Sequence, residues 1–287
     1  MDDLPPPMPS AREIIRLEPL GDDRFRALRN QDNFTGVAFG GQLLGQALAA
    51  AQATSPEWPA NSLNGYFLRA GRLDEPMDFA VTRCHDGRRF AVRRVTASQA
   101  GRNVFEMSCS FHQSESGELT NQFDTLGLQP DPQTLLPLKD FAAKYMERLS
   151  ARTMSIFGKD FPIELRLTDP EGFFRSDQPL REFWFRLRDV GGPLSAGDQQ
   201  ALLAFMSDYW LPASIGAASS GGRKIRNILS LNHSLWFHAA ANAGDWLFYR
   251  SSCPWAGQER GLFRGQMFDR TGQIVATATQ EALLQAA

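Results

Sequence analysis

Apolar and polar positions change period several times along the chain, and the changes come in the same order twice. In the first half, the short segment "DRFRALRN" reads as a strand. It precedes "FGGQLLGQALAAAQAT", whose apolar spacing and opening glycine pair predict a helix. Four strand candidates follow: "NSLNGYFLRAG", "PMDFAVTRCHDG", "RRFAVRRVTASQ" and "GRNVFEMSCSFHQ", each short, rich in Val, Phe, Tyr or Thr, and bounded by Gly, Asp or Pro. The second half repeats the series with "REFWFRLRDVGG" as strand and "GDQQALLAFMSDYWL" as helix. Its four strands are "RNILSLNHSLWFHAA", "GDWLFYRSSCPW", "ERGLFRGQMFDRTG" and "QIVATATQEALL". Glycines in "HDGRR", "QAGRN" and "DRTGQ" stand where hairpin turns need them.

Two copies of strand, helix and four antiparallel strands predict two α+β units sharing one core, over residues 1–115 and 161–287. A polar, turn-rich connector (116–160) separates them, and Leu138, Phe141, Tyr145 and Leu149 within it fall at helical spacing. That spacing predicts an amphipathic helix laid over one unit. Residues 1–12, acidic and proline-rich, are expected to be mobile. An antiparallel sheet with a single helix must curve around it to cover one face. That is the hotdog arrangement, and its tandem copy is a double hotdog. Open sheet edges predict self-association, as a homodimer or dimer of dimers.

Composition narrows the function. A formal charge of −2 over 287 residues gives no broad field for nucleic acid or an anionic membrane. No apolar run approaches the ~20 residues of a membrane helix. Cys84, Cys109 and Cys253 form neither a disulfide framework nor a CxxC pair, and the start has no basic, apolar leader, so a cytoplasmic protein is expected. Neither HxH nor HExxH occurs, and no metal or other cofactor is expected. The absence of GxSxG disfavours a serine nucleophile. The stretch "GAASSGGRK" lacks the order of a phosphate loop and reads as a mobile loop beside a site.

One residue stands out. In "ALLAFMSDYW", Asp208 is flanked by Phe205, Trp210 and Leu211. An ionised carboxylate taken from water costs several kcal/mol unless it is paired or hydrogen-bonded. Asp208 therefore needs donors from elsewhere in the chain.

"FGGQLLGQAL", "GYFLRAG", "HSLWFH" and "ATATQEALL" resemble, in order, the motifs of the acyl-CoA thioesterase II (TesB-type) family of double-hotdog enzymes. The resemblance implies hydrolysis of fatty acyl-CoA by a water that an aspartate, a hydroxyl and a glutamine hold. Position by position these fall on Asp208, Ser230 and Gln280. It also implies backbone amides at a helix N-terminus to stabilise the thioester oxygen, and a dimer or dimer of dimers. Gly40 and Gly41 would allow such an approach, or else tight packing of helix on sheet. Strand alternation puts Ile228, Ser230, Asn232 and Ser234 on one face, and Leu229, Leu231, His233 and Leu235 on the other. On that pattern His233 is a core residue. Ile274, Ala276, Ala278 and Gln280 share a face of the last strand.

The chain departs from the family at Asn232 (usually Asp), Asn64 (usually His), Ser230 (usually Thr) and Ala70 (usually Pro). Asn64 and Asn232 are expected near the site, and Tyr66, Phe67, Trp236 and Phe237 either line an acyl tunnel or fill a core. Two other functions remain open at this point. One is a non-catalytic acyl-CoA binding or sensing protein on the same fold. The other is a hydratase or dehydratase, which needs a His paired with a carboxylate.

Overall fold

A computed structural model describes residues 8–55, 58–113, 121–174, 180–215 and 225–286. The first half holds helix α1 (Ala11–Ile14), strands β1 (Glu18–Gly21) and β2 (Arg24–Ala27), helix α2 (Gly40–Gln52), and strands β3 (Ala60–Phe67), β4 (Met77–Asp86), β5 (Phe90–Gln99) and β6 (Arg102–His112). Helices α3 (Leu138–Lys144) and α4 (Ala151–Phe157) follow. The second half holds β7 (Ile163–Leu167), β8 (Leu180–Leu187), helix α5 (Ala196–Ser207), β9 (Ile225–Phe237), β10 (Leu247–Gly257), β11 (Arg260–Phe268) and β12 (Ile274–Ala286). The loop expected at 216–224 lies outside the described residues.

The twelve strands of the described residues form one antiparallel sheet in the order β1-β2-β4-β5-β6-β3-β9-β12-β11-β10-β8-β7. The order reads the same from either end once the halves are matched, so the repeat is real and its axis runs between β3 and β9. There Asn64 pairs with Ser234 and Leu63 with Leu235. The fold is the double hotdog: two half-sheets joined edge to edge, with α2 and α5 packed together on the inner face. Burial alternates along β5 and β6, putting Ala91, Val95, Ala97, Phe105, Met107 and Phe111 into the core. The β5–β6 turn carries Ala100 and Gly101, both at positive φ, as a two-residue hairpin with right-handed strand twist requires.

Several sequence expectations need correcting. The outermost strands, β1 and β7, were not anticipated. The connector helix is not continuous: α3 ends at Tyr145, and Ser150 starts α4 by accepting from the Thr153 amide. Leu149 is left in extended backbone. Of the N-terminal residues expected to be mobile, 1–7 are not described, but Ala11 is fully buried and its amide donates to the Asp189 carbonyl. Among the described residues, no helix is long and apolar enough to cross a membrane.

Candidate active site

The site begins where α2 meets α5. The helices run antiparallel, and glycines let their backbones touch. A Cβ at Gly41 would lie 2.5 Å from the Phe205 carbonyl oxygen, and one at Gly45 would lie 2.8 Å from that of Ala201. A Cβ at Gly40 would meet the Phe67 ring of β3 and Asp208, each at about 3 Å, whereas Gly41 serves packing of helix on helix. This contact carries the C-terminus of α5 onto the N-terminus of α2. Asp208 is the C-cap of α5, not an interior residue: beyond it Trp210 takes φ 61°, and Pro212 follows. A left-handed tryptophan costs roughly 1–2 kcal/mol, and such strain gathers at functional sites. The indole is held by stacking on Phe157 of α4, at 5.0 Å.

Helix α2 has Phe39 at its N-cap and no capping side chain. Asp208 takes that place, accepting the Gly41 amide hydrogen and lying against Gly40. Burial pushes its carboxyl from 3.8 up to about 6, while hydrogen bonds from Gln280 and the Gly41 amide hold it from rising further. A carboxylate at the negative end of its own helix also depends on the positive end of another.

Strands β9 and β12 supply the rest. Gln280 stands opposite His233, and Ala282 opposite Ser230, with a register shift between. Leu231 is the extra residue of a bulge, and a bulge reverses alternation. Ser230 therefore shares the inner face with His233 and Gln280, although simple alternation separates them. Gln280 Nε2 donates to Ser230 Oγ at 2.5 Å. A second shift, at Val275, turns Ile274 away from Gln280 to pack outside with Trp184, Trp246, Phe248 and Phe268. His233 is fully buried, its Nδ1 3.1 Å from Gln280 Oε1 and 4.0 Å from Asp208 Oδ1, its Nε2 2.9 Å from Ser207 Oγ. Desolvation lowers the ring to about 4 and keeps it neutral at pH 7.

The structure thus brings Asp208, Ser230, Gln280, Gly40 and Gly41 together. It does not bring Asn64, Tyr66 or Asn232 there. Tyr66 pairs with Asn232 and Asn64 with Ser234 on the outer face, and the Asn232 side chain bonds to Glu281. Tyr66 and Trp236 are exposed on that face, while Phe67 lies inside against Gly40 and Phe105. Sequence reasoning missed Ser207 and His233 as members of the site. Their signal was present, a serine beside Asp208 and a histidine on the expected apolar face, but the bulge that joins them to Ser230 has no mark in the residues.

The geometry now meets what is known of similar proteins. Residues 30–112 match the model of the acyl-CoA thioesterase N-terminal domain, and residues 132–284 match that of the C-terminal domain. The chain belongs to the acyl-CoA thioesterase family. It is 32% identical to acyl-coenzyme A thioesterase 8 of Rattus norvegicus, over 95% of this chain and 88% of that protein. Acyl-CoA thioesterase 2 of Haemophilus influenzae is 30% identical, over 95% and 96% respectively. Among solved structures, the acyl-CoA thioesterase II TesB2 of Mycobacterium marinum superposes with a TM-score of 0.77 at 30% identity, over 97% of this chain and 99% of that one. A hot dog fold protein of Alicyclobacillus acidocaldarius, at 18% identity and TM-score 0.74, shares the fold. The thioesterase family is one of thioester hydrolases, and the double-hotdog frame is common to it.

Proposed function

We propose that this thioesterase hydrolyses fatty acyl-CoA to free CoA and a carboxylic acid, using Asp208 as general base and Gln280 and Ser230 to hold the attacking water. The observation that carries this reading is a buried carboxyl raised to about 6, beside an amide and a hydroxyl, at the N-terminus of α2. Such a group is ionised at pH 7 yet basic enough to take a proton from water. Water adds to the thioester carbonyl as Asp208 accepts its proton. The positive end of α2 then stabilises the oxygen as it gains charge. Collapse of the adduct breaks the carbon–sulfur bond, and the departing thiolate recovers the proton from Asp208.

A non-catalytic binder would gain nothing from a carboxylate at the wrong end of its helix. Proton transfer at carbon is poorly served, because both nitrogens of His233 already face protein partners. Three free cysteines support a reducing, cytoplasmic setting, and the open edges β1 and β7 support assembly as a homodimer or dimer of dimers. We take 1–115 and 161–287 as the two units, joined by the connector 116–160.

Thiol release from short-, medium- and long-chain acyl-CoAs tests the proposal. Turnover by the wild type, lost in Asp208→Asn, is the expected result. Acyl-CoA bound but not cleaved by the wild type would replace the hydrolase with a binding protein.

A further inference from the structure

His233 is a fully buried titratable side chain at this site that the hydrolytic scheme leaves without a task. Its surroundings decide which nitrogen carries the proton. Ser207 Oγ lies 2.9 Å from Nε2 and 2.8 Å from the Ala204 carbonyl oxygen, and one hydroxyl hydrogen can serve only one of them. If Ala204 takes it, Nε2–H must donate to Ser207 and Nδ1 is bare. The Gln280 amide would then have to offer its NH2 to His233 and turn its carbonyl toward Ser230 and the Asp208 carboxylate. Two acceptors would face each other in a buried site, which is costly. If Ser207 instead donates to Nε2, then Nδ1–H donates to Gln280 Oε1, and the amide hydrogens face Ser230 Oγ and Asp208. The polar groups of His233, Gln280 and Asp208 are then all matched, at the expense of the Ser207 bond to the Ala204 carbonyl, and Ser230 keeps its own hydrogen for the water.

We propose that His233 is a positioning residue for the hydrolysis: Nδ1–H, donated to the Gln280 carbonyl, fixes the amide so that its NH2 faces Ser230 and Asp208, while Ser207 sets the ring tautomer. The assignment of this role rests on the thioesterase reading above. At the position that matches His233 across the pseudo-twofold axis stands Leu63, and opposite it Cys109 in place of Gln280. At these matched positions histidine and glutamine therefore occur together at one end of the helix pair, and neither occurs at the other.

The test compares two near-isosteric substitutions. His233→Asn keeps a donor at the Nδ1 position, whereas His233→Gln keeps a polar atom at the Nε2 position only. Expected is a kcat within about threefold of wild type for Asn, and a fall of roughly ten- to hundredfold for Gln and for His233→Leu, with KM little changed. Loss of the amide donor also raises the Asp208 carboxyl, so the acid limb of the kcat profile moves to higher pH in the Gln and Leu variants. In a Gln280→Ala background, His233→Leu should cost nothing more. Equal activity of the Asn and Gln variants at equal thermal stability, or multiplicative losses in the double variant, would overturn the role. The tautomer is readable without turnover: ¹⁵N NMR of the imidazole should show Nδ1 protonated, and a protonated Nε2 defeats the inference even if the protein cleaves thioesters. A wild type that cleaves none, with Nδ1 protonated, counts against the thioesterase reading and leaves the Gln280 contact standing.

Discussion

The α2–α5 pair has two ends built from matching positions, and they solve the same electrostatic problem in opposite ways. At the first end, Phe263, Gln280 and His233 line up across β11, β12 and β9; at the second, Arg93, Cys109 and Leu63 line up across β5, β6 and β3. Both carry the same bulge, at Leu231 and at Asn61. Yet at the second end both helix termini find their partners. Ser195 and Asp198 cap α5 with a reciprocal box, and buried Arg93 donates to the Thr54 carbonyl just past α2, a cation at the negative end of a helix. Gln200 closes on both polar groups of the Ala60 backbone, and Phe111, opposite Ala60, is fully buried where the first end has Ala282. The Cys109 thiol, pushed up to about 12 by desolvation, is inert. The first end reverses each choice: an N-terminus with no cap from its own helix, an anion at a helix C-terminus, a strained Trp210. Local rules are broken together at one place and obeyed at its twin, which is how a site is told from a scaffold.

The most damaging way to break this asymmetry is Asp208→Asn. Loss of a general base should lower kcat by about 10²–10⁴, measured by thiol release, whereas Gln52→Ala at the twin end should leave turnover intact. In the wild type, kcat should fall as pH drops below about 6, where Asp208 protonates.

The same carboxyl affects stability, with a sign that can be worked out. Its folded value, about 6, lies above 3.8, so its favourable contribution is present below pH 3.8 and is lost as pH rises through 6. By pH 8 the ionised group costs the fold roughly 3 kcal/mol. His233 acts oppositely: lowered from 6.5 to about 4, it stabilises above 6.5 and loses that contribution as pH falls through 4. The two offset each other between pH 4 and 6.5, so the wild type should be nearly flat there. Asp208→Asn should unmask the difference, melting above wild type at pH 8 and level with it at pH 3.5. A variant less stable at pH 8 would mean the carboxylate is already well compensated.

Glycines sharpen the comparison further. Gly41→Ala drives a methyl into the Phe205 backbone and should cost about 1–3 kcal/mol in denaturant unfolding, with activity lost as the helices part. Gly197→Ala meets the Gln52 side chain first, at 3.3 Å, which can swing aside. That change should be neutral or stabilise by up to about 1 kcal/mol, through helix propensity.

Much of this was legible in the residues. The repeated strand–helix–strand order gave the double hotdog, because hydrophobic period is a local signal. Asp208 was legible because a carboxylate among Phe205, Trp210 and Leu211 is anomalous wherever it sits. Asn232 was misplaced because simple alternation puts it with Ser230 and the Leu231 bulge parts them; Asn64 and Tyr66 lie on the outer face with their β9 partners Ser234 and Asn232. The role of Leu231 as a bulge was not legible at all. A bulge is decided by how two strands register, and "NILSLNHSLWF" alternates as well without one. The paired edge strands β1 and β7 escaped because, at four and five residues, they are too short to establish a period.

The smallest effect tests the claim that the second end serves stability alone. Ser195 accepts from the Asp198 amide, and the Asp198 carboxylate accepts from the Ser195 amide. Ser195→Ala removes half of that box and should lower stability by about 1 kcal/mol, in the usual range for a lost N-cap. Because α2, not α5, presents its N-terminus to Asp208, kcat and its pH profile should not change. A kinetic effect from so distant a cap would mean that α5 slides along α2 at Gly41 and Gly45, and that the two ends are mechanically coupled. Unchanged kinetics with a lowered midpoint would show that one helix pair can hold a strained end and a relaxed end independently.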